Sequence, residues 1–515
     1  MRKIIFIALL FVLAVQLQAQ KITFNNVHKP LRANYGAIRE GSDVKGYYTF
    51  YASDKIDKKN YEWTLQILDD NLKSLKQLKF QDSKDVTVLE TSFNGSDLIF
   101  LFYNEDARTL EYQIYGADAK KKHSYTREMT KKEKRYLEAT YLSMDDEEGV
   151  YRGLYPIEGK GFISNMPSRE DKDYTFQIDY YSSEKRKQWT FTPAMTGKKF
   201  SGDFLGTYNG VVYIEVLKFG SITDGNPESS IIGISLETGK QLFEKSTEGG
   251  KYKFYPASMS VMNDGKAYIY GEYFNPNENI VKSKSNGFAF WNVDEKGTVI
   301  SEKYLGWNLE LGKYLDVSSK GKIDDFGFMY LHKMLQTADG NIYAIGEGFK
   351  KTASALGITA QILSRGDAGA SVTKIKVTDL ILIKFDNNFN VKEAKVYDKN
   401  SNSVELPSGY DFVSSPLLAK MMKYNYGGFD YAYTQSNQDN SSFMVCYSDY
   451  VRGKDYKGST FNSISYNDGK ITTDKLETKS GATRSFILPA RMGSVLVYDI
   501  YRKDKKLEMH IEKLN

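Results

Sequence analysis

Short apolar runs that follow turn residues recur along the whole chain. In a typical copy, Asp339-Gly340 precedes the run from Ile342 to Gly346. Asn-Gly and Asp-Gly pairs favour tight hairpin turns, because such turns need residues that accept a positive φ. The pattern predicts eight strands, at residues 46–51, 98–102, 161–163, 211–214, 267–271, 342–346, 443–447 and 495–498.

A second pattern alternates with the first and consists of a strand, a polar turn and another strand. One copy runs from Phe288 to Trp291 and turns at Glu295-Lys296-Gly297. A further short strand, such as residues 254–261, usually precedes the next copy of the first pattern, so each unit holds about four antiparallel strands. Regular units of this kind indicate an all-β protein, a β-propeller of about eight blades. Seven blades, or two packed smaller propellers, are the alternatives.

The last unit lacks its fourth strand, because residues 507–511 run into the C-terminus. The N-terminal stretch from Ile22 to Asn25 is strand-like and could supply the missing strand. Sharing one blade between the two ends of the chain would hide the edges of its sheet. We therefore expect the N-terminus to complete the eighth blade.

Two segments interrupt the repeat. Thr130 and Glu133 have the spacing of a capping box, and apolar residues follow at helical spacing, which predicts one short inserted helix of about three turns between units two and three. The segment from Lys350 to Thr373 is rich in Ala, Gly and Ser and lies between two strong strands. We expect it to be a long loop.

The first residues have the composition of a secretory signal peptide. Arg2 and Lys3 are basic, residues 4–15 are apolar, and a small residue stands at Ala19. The pattern predicts a signal peptide over residues 1–19 and a single propeller domain over residues 20–515. No Cys follows the predicted cut and no later apolar run is long enough to span a membrane. We therefore expect a periplasmic or extracellular protein that is neither a lipoprotein nor an integral membrane protein after cleavage.

Composition narrows the class of protein further. With 41% hydrophobic and 14% aromatic residues, the chain can bury enough surface to fold. The net charge is only +5 and charges of both signs are interspersed, which argues against nucleic acid as a partner. Cys446 is the only cysteine, so no intrachain disulfide forms, and its apolar neighbours predict a buried strand residue. We expect a monomer.

Motifs of catalysis and metal binding are absent from the sequence. The four histidines, His28, His123, His332 and His510, do not pair at metal-ligand spacing, and no nucleophile elbow, Walker loop or dinucleotide fingerprint occurs. We therefore expect no metal and no cofactor, and an enzyme is less expected than a binding protein. The acidic run at residues 144–149 has poor spacing for calcium and predicts a solvated loop.

Five residues are candidates for a binding site. His332 lies in a predicted inner strand that faces the propeller channel, and Glu347 is an isolated acid between two glycines at a strand end. Trp307 lies outside the strand pattern, and Tyr424 and Tyr426 belong to an aromatic cluster around Gly427-Gly428. Aromatic side chains beside polar groups can stack on sugar rings or anchor a protein partner. For each residue, a structural role in packing or hydrogen bonding is the competing interpretation.

Four stretches carry a resemblance to a known family: the signal ending Leu17-Gln18-Ala19-Gln20, residues 47–68, residues 324–348 and residues 447–458. On these stretches, the mature chain resembles an uncharacterised family of exported, β-propeller-like proteins of Bacteroidota. No function is known for that family, so the resemblance implies no catalytic residue. The chain lacks the tryptophan-aspartate, kelch and aspartate-box signatures of other propellers.

These patterns together predict an exported, non-enzymatic propeller at the cell envelope. It would bind a protein partner or a glycan on one face, near the loop after Lys350. The alternative is a hydrolase with its active site at the mouth of the propeller channel. A third possibility is a structural periplasmic protein without a small ligand.

Overall fold

A computed structural model of the protein describes most of the chain. The described residues are 21–40, 42–84, 86–137, 153–170, 173–184, 188–194, 197–220, 226–353, 370–407, 413–423, 427–452, 457–478 and 481–514. The chain divides into two compact units, one formed by Met1–Thr126 with Thr472–Asn515 and the other by Arg127–Ile471. The prediction of a single domain over residues 20–515 stays a prediction, and the predicted signal peptide lies outside the described residues.

The described strands form eight antiparallel sheets, the blades of a β-propeller. The predicted eight-bladed architecture is therefore confirmed, and the seven-bladed alternative is wrong. Each blade consists of four strands, except that a fifth strand joins the sixth blade. Turn residues with positive φ, such as Gly340 and Gly265, close the hairpins at the predicted places.

The strands that come first in the chain form blades 1 and 2, and β1 belongs to the last blade. They are β1 (Lys21–Phe24), then blade 1 with β2 (Lys29–Glu40), β3 (Asp43–Lys55), β4 (Asn60–Asp69) and β5 (Ser74–Ser83), and blade 2 with β6 (Val86–Phe93), β7 (Asp97–Asn104), β8 (Thr109–Gly116) and β9 (Lys121–Glu128).

Blades 3 to 5 follow, after a short helix. They comprise α1 (Lys131–Leu137), then blade 3 with β10 (Leu154–Ile157), β11 (Gly161–Glu170), β12 (Asp173–Ser182) and β13 (Gln188–Phe191), blade 4 with β14 (Lys199–Tyr208), β15 (Val211–Phe219), β16 (Glu228–Ser235) and β17 (Gln241–Ser246), and blade 5 with β18 (Lys253–Val261), β19 (Ala267–Phe274), β20 (Gly287–Val293) and β21 (Val299–Gly306).

The last three blades include a second helix between blades 6 and 7. Their elements are blade 6 with β22 (Phe328–Gln336), β23 (Ile342–Ala353), β24 (Ala370–Phe385), β25 (Val391–Tyr397) and β26 (Asn402–Pro407), then α2 (Ser415–Met421), blade 7 with β27 (Tyr431–Ser436), β28 (Ser442–Arg452), β29 (Lys457–Asn467) and β30 (Lys470–Glu477), and blade 8 with β31 (Arg484–Pro489), β32 (Ser494–Tyr501) and β33 (Lys506–Lys513).

The eighth blade is completed by the N-terminal strand, as the sequence predicts. Strand β1 pairs with β33 in antiparallel register, with Lys21 opposite His510 and Phe24 opposite Leu507. The side chains of Ile22 and Phe24 also pack against the apolar core shared by blades 8 and 1. Strand β1 thus covers the edge of β33 and adds apolar burial to the same core.

The helices and the long connection differ in part from expectation. Helix α1 begins as predicted, because the Glu133 backbone N–H donates to Thr130 Oγ1 at 3.1 Å and the Thr130 N–H donates to the Glu133 carboxylate at 2.9 Å. Its predicted later turns lie outside the described residues. Helix α2 was not predicted. Both ends of the expected loop from Lys350 to Thr373 belong instead to strands β23 and β24, and its middle, residues 354–369, lies outside the described residues.

Tyrosines supply much of the packing between sheets. Tyr213, Tyr270 and Tyr498 are almost fully buried within strands, and Tyr343 packs in the core between blades 6 and 7. Cys446 is buried in β28, as predicted, and burial raises the pKa of its thiol to about 12. Among the described residues, no helix combines the length and the apolar character needed to cross a bilayer.

Removal of β1 tests how blade 8 is held together. We expect a chain that begins at residue 26 to unfold at a lower temperature and to aggregate more readily than a chain that begins at residue 21. The deletion removes the ladder to β33 and the burial of Ile22 and Phe24. Thermal unfolding and light scattering of both chains provide the measurement. Equal melting temperatures would contradict the role of β1.

Candidate functional site

Three glutamates occupy the same position in blades 4, 5 and 6. The first strand of each of these blades contains a β-bulge. Two positions before the bulged residue, the same strand carries a residue that lies directly opposite a glutamate of the second strand. The three pairs are Asp203 with Glu215, Tyr255 with Glu272 and Tyr330 with Glu347. All three glutamates are buried. Because a buried carboxylate must be paired or protonated, each of these glutamates needs either a cation nearby or a bound proton.

In blade 6, the Glu347 carboxylate is held by four donors. Lys399 Nζ lies 3.2 Å from Oε1 and His332 Nε2 lies 3.2 Å from Oε2. The backbone N–H groups of Asp430 and Tyr431 each donate to the carboxylate at 3.1 Å. His332 is the bulged residue of β22, and the bulge directs its ring toward the second strand of the same blade.

The charges of this blade 6 cluster depend on burial. Burial raises the pKa of Glu347, and the ammonium of Lys399 opposes that rise. Burial acts to lower the pKa of Lys399, but the carboxylates of Glu347 and Asp430 outweigh it, so that pKa is raised. Burial also lowers the pKa of His332 well below its usual value, and nearby lysine charges lower it further. His332 is therefore neutral and donates from Nε2 to the carboxylate.

Asp430 connects the cluster to the start of blade 7. Its Oδ2 lies 2.5 Å from Lys399 Nζ, and its Oδ1 accepts a hydrogen bond from Asn402 Nδ2 at 2.6 Å. Burial raises the pKa of Asp430 to about 6. Tyr431 stacks on the His332 ring at 4.5 Å between centroids, and Phe429 meets that ring edge-on. The cluster therefore ties blade 6 to the segment that begins blade 7.

The blade 6 cluster contains acids and bases, but they are enclosed. The side chains of Glu347 and Lys399 are 0% exposed and that of His332 is 1% exposed. A substrate therefore has no direct contact with these groups. The geometry favours structural ion pairing over proton transfer to a ligand.

In blades 4 and 5, the buried carboxylates surround a lysine of helix α2. Lys420 Nζ lies 2.8 Å from Asp203 Oδ2 and 3.1 Å from Glu215 Oε2, and it lies 5.3 Å from the centre of the Tyr255 ring. Burial raises the pKa of Glu215 to about 7. Burial acts to lower the pKa of Lys420, but Asp203 and Glu215 outweigh it and hold that pKa well above its usual value.

A small cavity adjoins this lysine. Its volume is about 20 Å³, and Tyr255, Glu272, Tyr330, Pro416 and Lys420 contribute to its wall. That volume holds roughly one water molecule. Burial raises the pKa of Glu272 to about 8, so this carboxyl is largely protonated at neutral pH.

A larger, open groove lies at the hairpin turns of blades 3, 4 and 5. Its volume is about 790 Å³. Its lining combines exposed charged and amide side chains with apolar ones, and its residues are Lys160, Tyr180, Asn209, Gly210, Val211, Ser235, Leu236, Glu237, Leu242, Phe243, Glu295 and Lys296. Leu242 is 54% exposed there.

The structure brings together two of the five residues that the sequence suggested. His332 and Glu347 are in direct contact in blade 6. Trp307 lies elsewhere, in the apolar core of blades 5 and 6, where it is 3% exposed and its Nε1 donates to the Ser285 carbonyl at 2.9 Å. Tyr424 and Tyr426 lie outside the described residues, as does the acidic run at residues 144–149. A binding role for these residues stays a prediction.

Sequence reasoning missed Glu215, Glu272, Lys399 and Lys420. One signal was available, because Tyr268-Ile269-Tyr270-Gly271-Glu272 and Tyr343-Ala344-Ile345-Gly346-Glu347 follow Asp-Gly at the same distance. The lysines carry no such signal, since Lys399 lies between β25 and β26 and Lys420 lies in helix α2, outside the repeated four-strand pattern. Among the described residues, no group of three acidic, histidine or cysteine side chains has metal-binding geometry.

Comparisons with known proteins give a family and a set of distant structural likenesses. A family model described as "Family of unknown function (DUF6770)" matches residues 1–515. No curated protein matches the chain.

Three solved structures illustrate the structural likenesses. The WD40 domain of SCAP from fission yeast is similar over 95% of this chain and 98% of that one, at 8% identity and a TM-score of 0.36. The β-propeller domain of the Trilobed protease from Pyrococcus furiosus is similar over 74% and 99%, at 10% identity and a TM-score of 0.30. A protein of unknown function from Bacteroides caccae is similar over 53% and 94%, at 8% identity and a TM-score of 0.21. Likenesses this weak carry no information on ligand or activity.

Substitution of Lys399 tests the blade 6 cluster. We expect Lys399→Met to lower the free energy of unfolding by about 3–5 kcal/mol, because it leaves Glu347 buried without its cation. Adding Glu347→Gln should recover part of that loss. Lys392→Met is the matched control, since it removes a half-exposed lysine from a surface pair with Asp386 and should cost about 0–1 kcal/mol. Equal losses in the two single variants, measured by denaturant unfolding, would contradict this account.

Substitution of Glu272 tests a pH dependence. Its pKa is raised in the folded protein, so the folded state binds more protons than the unfolded state between the ordinary glutamate pKa and about 8. The wild-type protein therefore loses stability as pH rises through that window. Glu272→Gln should match the wild type at about pH 5 and exceed its melting temperature at about pH 8.5. The exposed Glu302→Gln is the control, and a constant difference across pH would disprove the assignment.

Proposed function

The chain belongs to the family of unknown function DUF6770, and we propose that it is an exported, non-enzymatic protein that binds a glycan in the groove of blades 3, 4 and 5. The groove is the observation that carries this proposal. Export rests on the basic and apolar pattern of residues 2–15 and on the small residue at Ala19.

The size of the groove supports a compact ligand. Ligand pockets in proteins have volumes of about 300–1,000 Å³, and the groove has about 790 Å³. A stable protein partner would instead need a broad contact area of about 800 Å² on each side. The concave shape therefore favours a glycan over a protein partner.

The lining of the groove also suits a sugar chain. Lys160, Glu237, Glu295 and Lys296 are exposed and can donate to or accept from hydroxyl groups. Leu242 and the partly buried Phe243 supply an apolar strip for the C–H faces of the rings. Charges of both signs line the groove, so a neutral, hydroxyl-rich ligand fits better than a strongly charged one.

The buried acids and bases weigh against the hydrolase alternative. Glycoside hydrolysis needs two carboxyl groups that flank the scissile bond. Glu215, Glu272 and Glu347 are buried and belong to internal clusters, so they are not available to a substrate in the groove. The carboxyl groups in the groove lining are those of Glu237 and Glu295, so the test of the proposal includes hydrolysis as an outcome.

A single substitution in the groove tests the proposal. Leu242→Asp should weaken binding of neutral envelope-type oligosaccharides at least tenfold, because it removes the apolar strip and adds a charge that the ligand would desolvate. Glycan-array screening of the wild-type protein identifies the oligosaccharide, and calorimetry compares the variants.

Ile300→Asp is the matched control, because Ile300 is also an exposed apolar residue on the outermost strand of its blade and lies outside the groove. It should bind like the wild type. Equal affinities of both variants, or no glycan bound by the wild type, would refute the proposal. Shortened oligosaccharides in mass spectra after incubation would favour the hydrolase, and a captured protein without glycan binding would favour a protein partner.

A further inference from the structure

Helix α2 belongs to a short segment that lies across blades 4, 5 and 6. We call residues Val413–Lys423 the strap. The Ser414 N–H donates to the Val281 carbonyl at 2.5 Å, and Ser414 Oγ donates to the Ile280 carbonyl at 2.6 Å. Lys351 Nζ donates to the Val413 carbonyl at 2.8 Å. The strap is thus attached to blades 5 and 6 at its start.

Apolar contacts hold the middle of the strap on blade 6. Leu418, Ala419 and Met422 are buried in a cluster that includes Tyr330 and Phe349. Lys420 points the other way, toward blades 4 and 5, and only 6% of its side chain is exposed. The strap therefore places the ammonium group of Lys420 among side chains of blades 4 and 5.

That surrounding has the chemistry of an ammonium site. An ammonium group offers three donors and no acceptor. Asp203 and Glu215 supply carboxylate oxygens within 3.1 Å, and the face of Tyr255 supplies a cation–π contact at 5.3 Å. We call these three residues the cradle. Two carboxylates and an aromatic face are what a protein uses to bind an alkylammonium ion.

The cradle offers more acceptor capacity than Lys420 uses. Glu215 is 0% exposed, and its Oε1 has no hydrogen-bond partner among the described residues. The neighbouring cavity is lined by both Tyr255 and Glu272, which lie opposite each other in the ladder of blade 5. A structural ion pair normally satisfies its buried oxygens. The surplus therefore points to a ligand site that the chain fills with its own lysine.

The cradle is also open to solvent on one side. The Asp203 side chain is 38% exposed, although its partner Lys420 is buried. An incoming cation can therefore contact the cradle before Lys420 leaves it. Replacing one ammonium by another preserves the buried charge pairs, so the exchange avoids the cost of leaving carboxylates unpaired.

We propose that the cradle of Asp203, Glu215 and Tyr255 is a binding site for a primary alkylammonium group, and that Lys420 is its internal occupant. A free amine or the lysine side chain of a partner protein supplies the same group. The site shares no residue with the groove, so its test does not depend on whether the groove binds a glycan.

Chemical rescue tests the site. Lys420→Ala removes three methylene groups and the ammonium group of the side chain. The n-propylammonium ion has the same size as the part that is removed. We expect n-propylammonium to raise the melting temperature of Lys420→Ala by about 2 °C or more in a saturable manner. The neutral isostere n-propanol should not do so. Lys420→Met is the matched control, because its side chain fills the cradle and should abolish the response.

The wild-type protein provides a second measurement that does not depend on folding of the variant. With n-propylammonium, the amide hydrogens of Ser415–Met421 should exchange faster, because Lys420 is displaced. Nα-acetyl-lysine amide in parallel distinguishes the sources, since a larger effect at equal concentration indicates a protein lysine and a smaller one a free amine. Unchanged exchange in the wild type, or a Lys420→Ala response no larger than with n-propanol, would overturn the proposal.

Discussion

The burial of three carboxylates in the second strands of blades 4, 5 and 6 is the constraint on which this part of the molecule depends. Each carboxylate would destabilise its sheet if it stayed charged and unpaired. Blade 5 solves the problem by protonation of Glu272, whereas the other two blades use cations. Both cations come from the part of the chain that follows the fourth strand of blade 6: Lys399 lies between β25 and β26, and Lys420 lies in helix α2. The charge balance of blades 4 and 6 therefore depends on residues outside their four-stranded sheets.

The two ends of the blades also differ in the polar groups that they expose to solvent. In an antiparallel blade, the turn between the first two strands lies at one end, and the connection to the next blade lies at the other. The open groove includes the turn Asn209-Gly210, whereas Lys399 and Lys420 come from segments that follow the fourth strand of blade 6. One end is thus available to a polar ligand in solution, while the other is occupied by the protein's own side chains. In the blade 6 cluster, the carboxylate of Glu347 is fully enclosed. In the cradle of blades 4 and 5, the Asp203 side chain is partly exposed to solvent.

The sequence predicts the sheets well because a blade is a local structure. Hairpin turns such as Asp264-Gly265 need a positive φ, and the apolar runs beside them need burial, so both leave a pattern of short range. The pairing of His332 with Glu347 could be anticipated only in part, since the bulge at His332 interrupts the simple alternation of faces. Lys399 and Lys420 could not be found in this way. Their glutamate partners, Glu347 and Glu215, lie in strands far away in the chain, and the local sequence around a lysine does not record a long-range ion pair.

Completion of blade 8 by strand β1 has a consequence for the order of folding. Thr23 and Glu508 are hydrogen-bonded across a separation of 485 residues, so β1 cannot pair until β33 has been synthesised. Loop-closure entropy makes such a contact slow to form. Until β33 has been synthesised, β1 has no partner strand in blade 8, and only the intervening blades can assemble. Blade 8 is therefore complete only when Lys506–Lys513 are present, and a chain that ends before them would leave β1 without its partner strand.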